Sequence, residues 1–234
     1  MDSELSRLPA RELVQRVILR LDFYERPVLD VARDCIGKIL VRRTLEGEVR
    51  GRIVEAEAYR GPQDRAAHSF GGRRTARTEV MFGRAGHAYV FFVYGMHYNF
   101  NLVTGSVGDP EAVLIRALEP LSGISLMAAR RKMAPERVEL TNGPGKLCQA
   151  CAITRGDYGV DLCSESVLFL LDAPRAKVAR SPRIGVDYAG TWAARPWRFH
   201  EPGNRFVSPT RGATRSACGS ATSAKTLVKS ARRG

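Results

Sequence analysis

No stretch of this 234-residue chain is apolar for long enough to cross a membrane as a helix. The longest, Ala88 to Met96, falls far short of the ~20 residues such a span needs. The N-terminus, Met1-Asp2-Ser3-Glu4-Leu5-Ser6-Arg7, lacks the charged-then-apolar pattern of a secretory signal. Cysteines are few and odd in number, five in all, which argues against a disulfide framework and for reduced thiols. Cys148 and Cys151 form a C-x-x-C, but no second cysteine pair or suitably spaced histidine pair accompanies it. Neither zinc nor redox chemistry is expected there, and no metal or cofactor is expected elsewhere. Lysine is absent between Lys38 and Lys132. Acids are scarce, 24 against 37 Lys and Arg, and none occurs from Arg211 onward. That end holds six cations, and the net charge of +13 less these six leaves +7 on residues 1–210. A body that is basic without its tail points to a polyanionic partner.

Leu13, Val14, Val17, Ile18 and Leu21 recur at helical spacing and predict an N-terminal amphipathic helix. Val28, Val31, Ala32, Cys35 and Ile36 predict a second helix, with Pro27 at its start and Gly37 as its stop. Lys38–Arg43 and Arg50–Tyr59 read as strands joined at Glu46-Gly47. Residues 69–79 read as a polar loop rich in Gly and Arg. Further strands are expected at His87–Tyr94, Asn99–Val103, Ala112–Leu118, Val167–Leu171, Arg183–Val186 and Arg198–His200, with helices at Ser122–Met133 and Gly145–Ile153. Strands joined by turns and flanked by helices, without regular βαβ alternation, predict an α+β fold with a mainly antiparallel sheet. One domain is expected over residues 1–208. The tail at 209–234 has no hydrophobic period and is expected to be disordered.

The most informative stretch is Ile53-Val54-Glu55-Ala56-Glu57-Ala58-Tyr59. In a regular strand Ile53, Glu55, Glu57 and Tyr59 share one face, and Val54, Ala56 and Ala58 share the other. The first face then carries two carboxylates beside an aromatic ring, with His68 nine residues beyond Tyr59. An acid two residues from an aromatic suits activation of water beside a stacked nucleobase. The alternative is an edge strand with solvated glutamates. In Tyr94-Gly95-Met96-His97, large side chains crowd a turn between apolar strands, which suits a wedge entering a minor groove or else a buried corner. Arg116 lies among Leu114, Ile115, Ala117 and Leu118, where an arginine is costly to bury unless paired; Glu55 and Glu119 are the candidate partners. Asn101, between Phe100 and Leu102, likewise needs partners that a ligand could supply.

Long motifs then carry a resemblance. They are Gly51-Arg52-Ile53-Val54-Glu55-Ala56-Glu57-Ala58-Tyr59, Ala66-Ala67-His68-Ser69, Tyr94-Gly95-Met96, Leu114 through Pro120, Asn142 through Ala150, and Arg183-Ile184-Gly185-Val186. From about Arg26 to Ser208 the chain closely resembles the mammalian-type alkyladenine (3-methyladenine, methylpurine) DNA glycosylases. The resemblance implies a curved antiparallel sheet with a protruding DNA-inserting hairpin. It also implies a monofunctional hydrolase of N-glycosyl bonds that flips damaged purines, alkylated and also deaminated or etheno, out of double-stranded DNA. By that resemblance Glu57 is the general base and Arg116 its partner in positioning water. Tyr59 and Phe91 sandwich the base, His68 bonds its edge, and Asn101 crowds the 2-amino group of guanine. Tyr94, Met96, His97 and Arg73 contact DNA. Many relatives have Tyr where this chain has Phe91, and the position of His97 is commonly aromatic. Glu55, one pleat further from Tyr59, is expected to matter less. The implied protein is a monomer without cofactor or membrane association, cytoplasmic in a bacterium or nuclear in a eukaryote. A lyase mechanism would need an amine, and the lysine-free motif region offers none. A different class, a non-catalytic nucleic-acid binder, stays open because the fold resembles the RNA-binding C-terminal domain of methionyl-tRNA formyltransferase.

Overall fold

The computed structural model describes residues 18–93 and 95–209. Most of the expected N-terminal helix, Tyr94 and the basic tail from residue 210 therefore lie outside the described residues. Ile18 forms an isolated bridge to Leu171 rather than continuing a helix. A single helical turn, α1 (Leu21–Tyr24), follows, and then α2 (Val28–Asp34). Val28, Val31, Ala32, Cys35 and Ile36 are all at most 1% exposed, so the 3.6-residue period does mark the buried stripe.

The remaining strands and α-helices among the described residues are β1 (Ile39–Thr44), β2 (Gly47–Tyr59), β3 (Ala88–Val93), β4 (His97–Thr104), β5 (Glu111–Ser122), α3 (Ile124–Arg131), α4 (Pro144–Ala150), β6 (Leu168–Leu171), β7 (Ala179–Ser181) and β8 (Arg198–His200). The strands form one antiparallel, curled sheet in the order β3-β4-β5-β2-β1-β6, with β8 pairing β2 and β7. The fold is α+β, as the sequence predicts. Its main core fills one face of the sheet, where Ile53, Ala56, Ala58, Phe100, Val113, Ile115 and Leu118 meet the helices. The expected polar loop at residues 69–79 includes a short 3₁₀ turn, Phe70–Gly72, and runs into a second, Glu79–Phe82.

Two expectations fail here. Arg183–Val186 is irregular, and the strand lies earlier, at Ala179–Ser181. Pro182 has no N–H for a ladder, and Gly185 takes φ +75°, so apolar composition alone misplaced the strand. The simple alternation in β2 also fails, and β2 is not an edge strand. Its first half is flanked by β1 and its second half by β8, with β5 along its other side. The register with β5 steps from Ile53↔Leu118 to Glu55↔Ala117 to Ala56↔Ile115. Val54 and Arg116 are thus left without opposite partners, as in a pair of compensating bulges. Ile53 joins Ala56 and Ala58 in the main core, while Val54 packs with Ala117 and Phe206. The bulge leaves Glu55, Glu57 and Tyr59 on the opposite face and lets Arg116 swing onto it.

The β3–β4 hairpin depends on two glycines. Gly95 takes φ +68° at its tip, a conformation costly for other residues. A Cβ on Gly145, in the first turn of α4, would sit 2.9 Å from Cβ of His97, so helix and hairpin base approach too closely for a side chain.

Candidate active site

Glu57 has no exposed surface and is held on three sides. The Tyr59 hydroxyl donates to its Oε2 (2.9 Å) and the Ile184 N–H to its Oε1 (2.8 Å). Arg116 Nη1 lies 3.2 Å from Oε2. Tyr59, Ile184 and Arg116 all line one pocket of about 260 Å³, so Glu57 sits directly beneath its wall. That volume is small for a ligand pocket and suits a single planar base. Burial pushes the Glu57 carboxyl above the usual carboxylate range, against the pull of Arg116, the Ile184 N–H and Tyr59, and neighbouring Glu55 adds to the rise.

Glu55 is equally buried but differently surrounded. Its Oε1 accepts from Arg116 Nε (2.9 Å), Arg198 Nε (2.6 Å) and the Ser208 hydroxyl (2.7 Å), and its Oε2 from the Ser208 N–H (2.6 Å). Burial alone would raise this carboxyl, but Arg116, Arg198 and Ser208 outweigh it and hold Glu55 below the usual range. Two carboxylates two residues apart are thus pushed in opposite directions, the pattern that separates a base from a permanently ionised neighbour. Arg116 pairs with both Glu55 and Glu57; Glu119 pairs instead with Arg52.

The other sequence-selected residues gather at the same pocket: Tyr59, His68, Phe91 and Asn101 line it with Arg116. The His68 and Phe91 rings meet edge to face at 4.5 Å. Asn101 is buried in β4 and donates to the Tyr89 carbonyl at 3.0 Å. Met96 and His97, at the hairpin tip, do not line it. Met96 is 70% exposed at the tip and His97 is exposed beside it. Arg73 is exposed in the loop after His68.

A profile of the Methylpurine-DNA glycosylase (MPG) family matches residues 22–205. The chain belongs to that family. A relative from Methanocella arvoryzae, provisionally named a 3-methyladenine DNA glycosylase, is 51% identical over 192 residues, covering 82% of this chain and 96% of the relative. Identically named proteins from Desulfitobacterium hafniense (47% over 195 residues) and Bacillus cereus (48% over 198 residues) each cover 80% of this chain and are themselves covered to 96%. The methylpurine-DNA glycosylases hydrolyse N-glycosyl bonds in DNA, and this chain is one of them.

The structure adds several residues around this glycosylase pocket. Arg198, opposite Glu57 on β8, carries the same signal that marks Arg116, an arginine flanked by apolar strand residues, here Trp197 and Phe199. Tyr89 accepts or donates at 2.8 Å with Nδ1 of His68. Arg183 stacks on the Tyr59 ring at 4.8 Å and pairs with Asp64. Arg77 lies over Phe91 at 6.0 Å.

Burial, with Arg77 and Arg73 adding, pushes the His68 imidazole down to about 4. The neutral ring is favoured in the folded protein, so its contribution to stability is complete above the ordinary value of 6.5 and is lost as pH falls toward 4. An NMR titration is expected to place the His68 midpoint near 4, with no change in its ring signals between pH 6 and 8. A midpoint near 6.5 would mean that the ring is solvated.

Proposed function

We propose that this pocket receives a damaged purine turned out of double-stranded DNA, and that Glu57 activates the water that hydrolyses its N-glycosidic bond. Water adds to the sugar carbon, its proton passes to Glu57, and the bonding pair leaves with the purine, giving an abasic site and a free base. The transition state is cationic at the sugar, as in glycoside hydrolysis. An alkylated purine already carries positive charge and departs readily, so one carboxylate serves both to take the proton and to stabilise the sugar. Deaminated and etheno purines are neutral and are expected to react more slowly.

What carries the reading is the position of Glu57. It is buried, raised in pKa and bonded to three residues that line a base-sized pocket. Tyr59 and Phe91 offer the flat aromatic surfaces for stacking. If the Tyr89 hydroxyl donates to Nδ1 of His68, the other ring nitrogen bears a proton to offer the base edge. Met96 and His97, with Tyr94 between β3 and β4, form the wedge that fills the space left in the duplex. Arg73 contributes a phosphate contact, and the protein acts as a monomer.

The test is release of free base from duplexes carrying one alkylated, deaminated or etheno purine. Alkylated purine is expected to appear in solution with one alkali-labile site per base released. Tight retention of lesion DNA with no base release would make the chain a non-catalytic binder and overturn the reading.

A further inference from the structure

We propose that Glu55, Arg198 and Ser208 form a positioning network for Arg116, fixing the guanidinium so that its Nη1 faces Glu57. The inference rests on Glu57 being the base and goes beyond it, since none of these three residues lines the pocket.

The guanidinium of Arg116 meets a different partner at each nitrogen. Nε donates to Glu55 at 2.9 Å, Nη2 reaches the Ser208 hydroxyl at 3.5 Å, and Nη1 lies 3.2 Å from Glu57. A free arginine side chain has many rotamers, and this one rises from a bulged position that no opposite residue steadies. Anchoring two nitrogens leaves one free to point at the base. Glu55 is itself fixed by Arg198 and Ser208, and Arg198 Nη2 also donates to the Ser208 carbonyl at 3.0 Å. Ser208 thus latches Glu55, 153 residues away in sequence.

The four charges Glu55, Glu57, Arg116 and Arg198 sum to zero. With Glu55 present, its negative charge opposes ionisation of Glu57. Without it, that repulsion is gone and Glu57 holds a proton less well. The groups facing Glu57 are Tyr59 and Glu55 on its own strand, Arg116 on β5, Arg198 on β8, and Arg183 with the Ile184 N–H on the adjoining loop. Only Glu55 among these raises the Glu57 carboxyl by its charge. Its removal therefore moves the acid limb of the rate profile to lower pH while lowering the plateau.

The experiment is single-turnover excision of an alkylated purine from duplex DNA across pH, with lesion-DNA affinity and thermal unfolding measured in parallel. Glu55→Gln/Arg198→Gln removes one charge of each sign and keeps the buried sum at zero. It is expected to bind lesion DNA within about threefold of the parent, to lose roughly 10- to 100-fold in rate, and to shift the acid limb downward by less than Glu55→Gln alone, because the loss of the Arg198 charge opposes the loss of Glu55. Ser208→Ala keeps the backbone N–H to Glu55 and removes only the hydroxyl that touches both Glu55 and Arg116, so it is expected to fold normally and lose a few-fold in rate with the acid limb unmoved, because Glu55 keeps its charge. Should the double variant fail to fold, Ser208→Ala decides alone. A parental rate and pH profile in a folded variant overturns the proposal. Glu57→Gln, run beside them, separates the two ideas: if it is active, the general-base reading has failed; if it is inactive while the network variants are parental, only the positioning role has.

Discussion

Replacing Glu57 by Gln is expected to abolish excision. The amide keeps the size of the carboxylate, and its oxygen can still accept from the Ile184 N–H or the Tyr59 hydroxyl. It cannot take a proton, and it presents no negative charge to a developing sugar cation. General-base catalysis alone contributes about 10²- to 10⁴-fold, and the lost electrostatic stabilisation adds to that. The single-turnover rate is therefore expected to fall by at least about 10³-fold, while affinity for lesion-bearing duplex stays within a few-fold. Binding depends on the pocket surface, which Glu57 does not itself line. The same experiment on Glu55→Gln is expected to show a partial loss. A dead Glu55→Gln beside an active Glu57→Gln would move the chemistry two residues back along β2. A Glu57→Gln rate within tenfold of the parent would remove Glu57 from the role altogether.

Much of this arrangement is legible in the chain because it is local. The apolar period from Val28 to Ile36, the β1–β2 hairpin and the β-prone run ending at Val93 each declare themselves within a single short stretch of chain. Arg116 stands out because a charge among strand-forming apolar residues needs a partner, and the structure supplies two. What stays hidden is set by long-range pairing. A bulge changes which side chains share a face without changing composition, so Ile53 reads as a neighbour of the glutamates and is in fact a core residue. The latch of Ser208 on Glu55 and the bond from Ile184 to Glu57 join positions more than 120 residues apart, beyond any periodicity. The loop at Arg183–Val186 reads as a strand because Ile184 and Val186 are apolar, β-branched and two residues apart. Its backbone instead turns an N–H inward to a carboxylate, which only the fold determines.

That loop leads to the expected loss of stability on breaking the Asp64–Arg183 pair. Both side chains have no exposed surface, and Nη1 and Nη2 of Arg183 meet the two oxygens of Asp64 at 2.5 and 2.9 Å. Asp64 also accepts from the N–H groups of Arg60 and Ala66, at the start of the segment that carries His68. Arg183 donates to the Ala58 carbonyl and immediately precedes Ile184, whose N–H holds Glu57. One ion pair therefore ties two walls of the pocket together. Asp64→Ala leaves a buried guanidinium without its counter-charge, which costs about 3–5 kcal/mol. For a domain of this size that corresponds to roughly 6–20 °C in Tm. Asp64→Leu combined with Arg183→Met removes both charges and is expected to recover most of that loss, since apolar replacement of a buried pair is often neutral. Excision should not recover with it, because Tyr59 loses the cation stacked behind its ring and the Ile184 N–H loses its anchor. Thermal unfolding and single-turnover rates on the same two proteins measure the two effects separately. If the double variant regained both stability and rate, the pair would be a structural tie alone; if Asp64→Ala unfolded within a degree or two of the parent, it would not be even that.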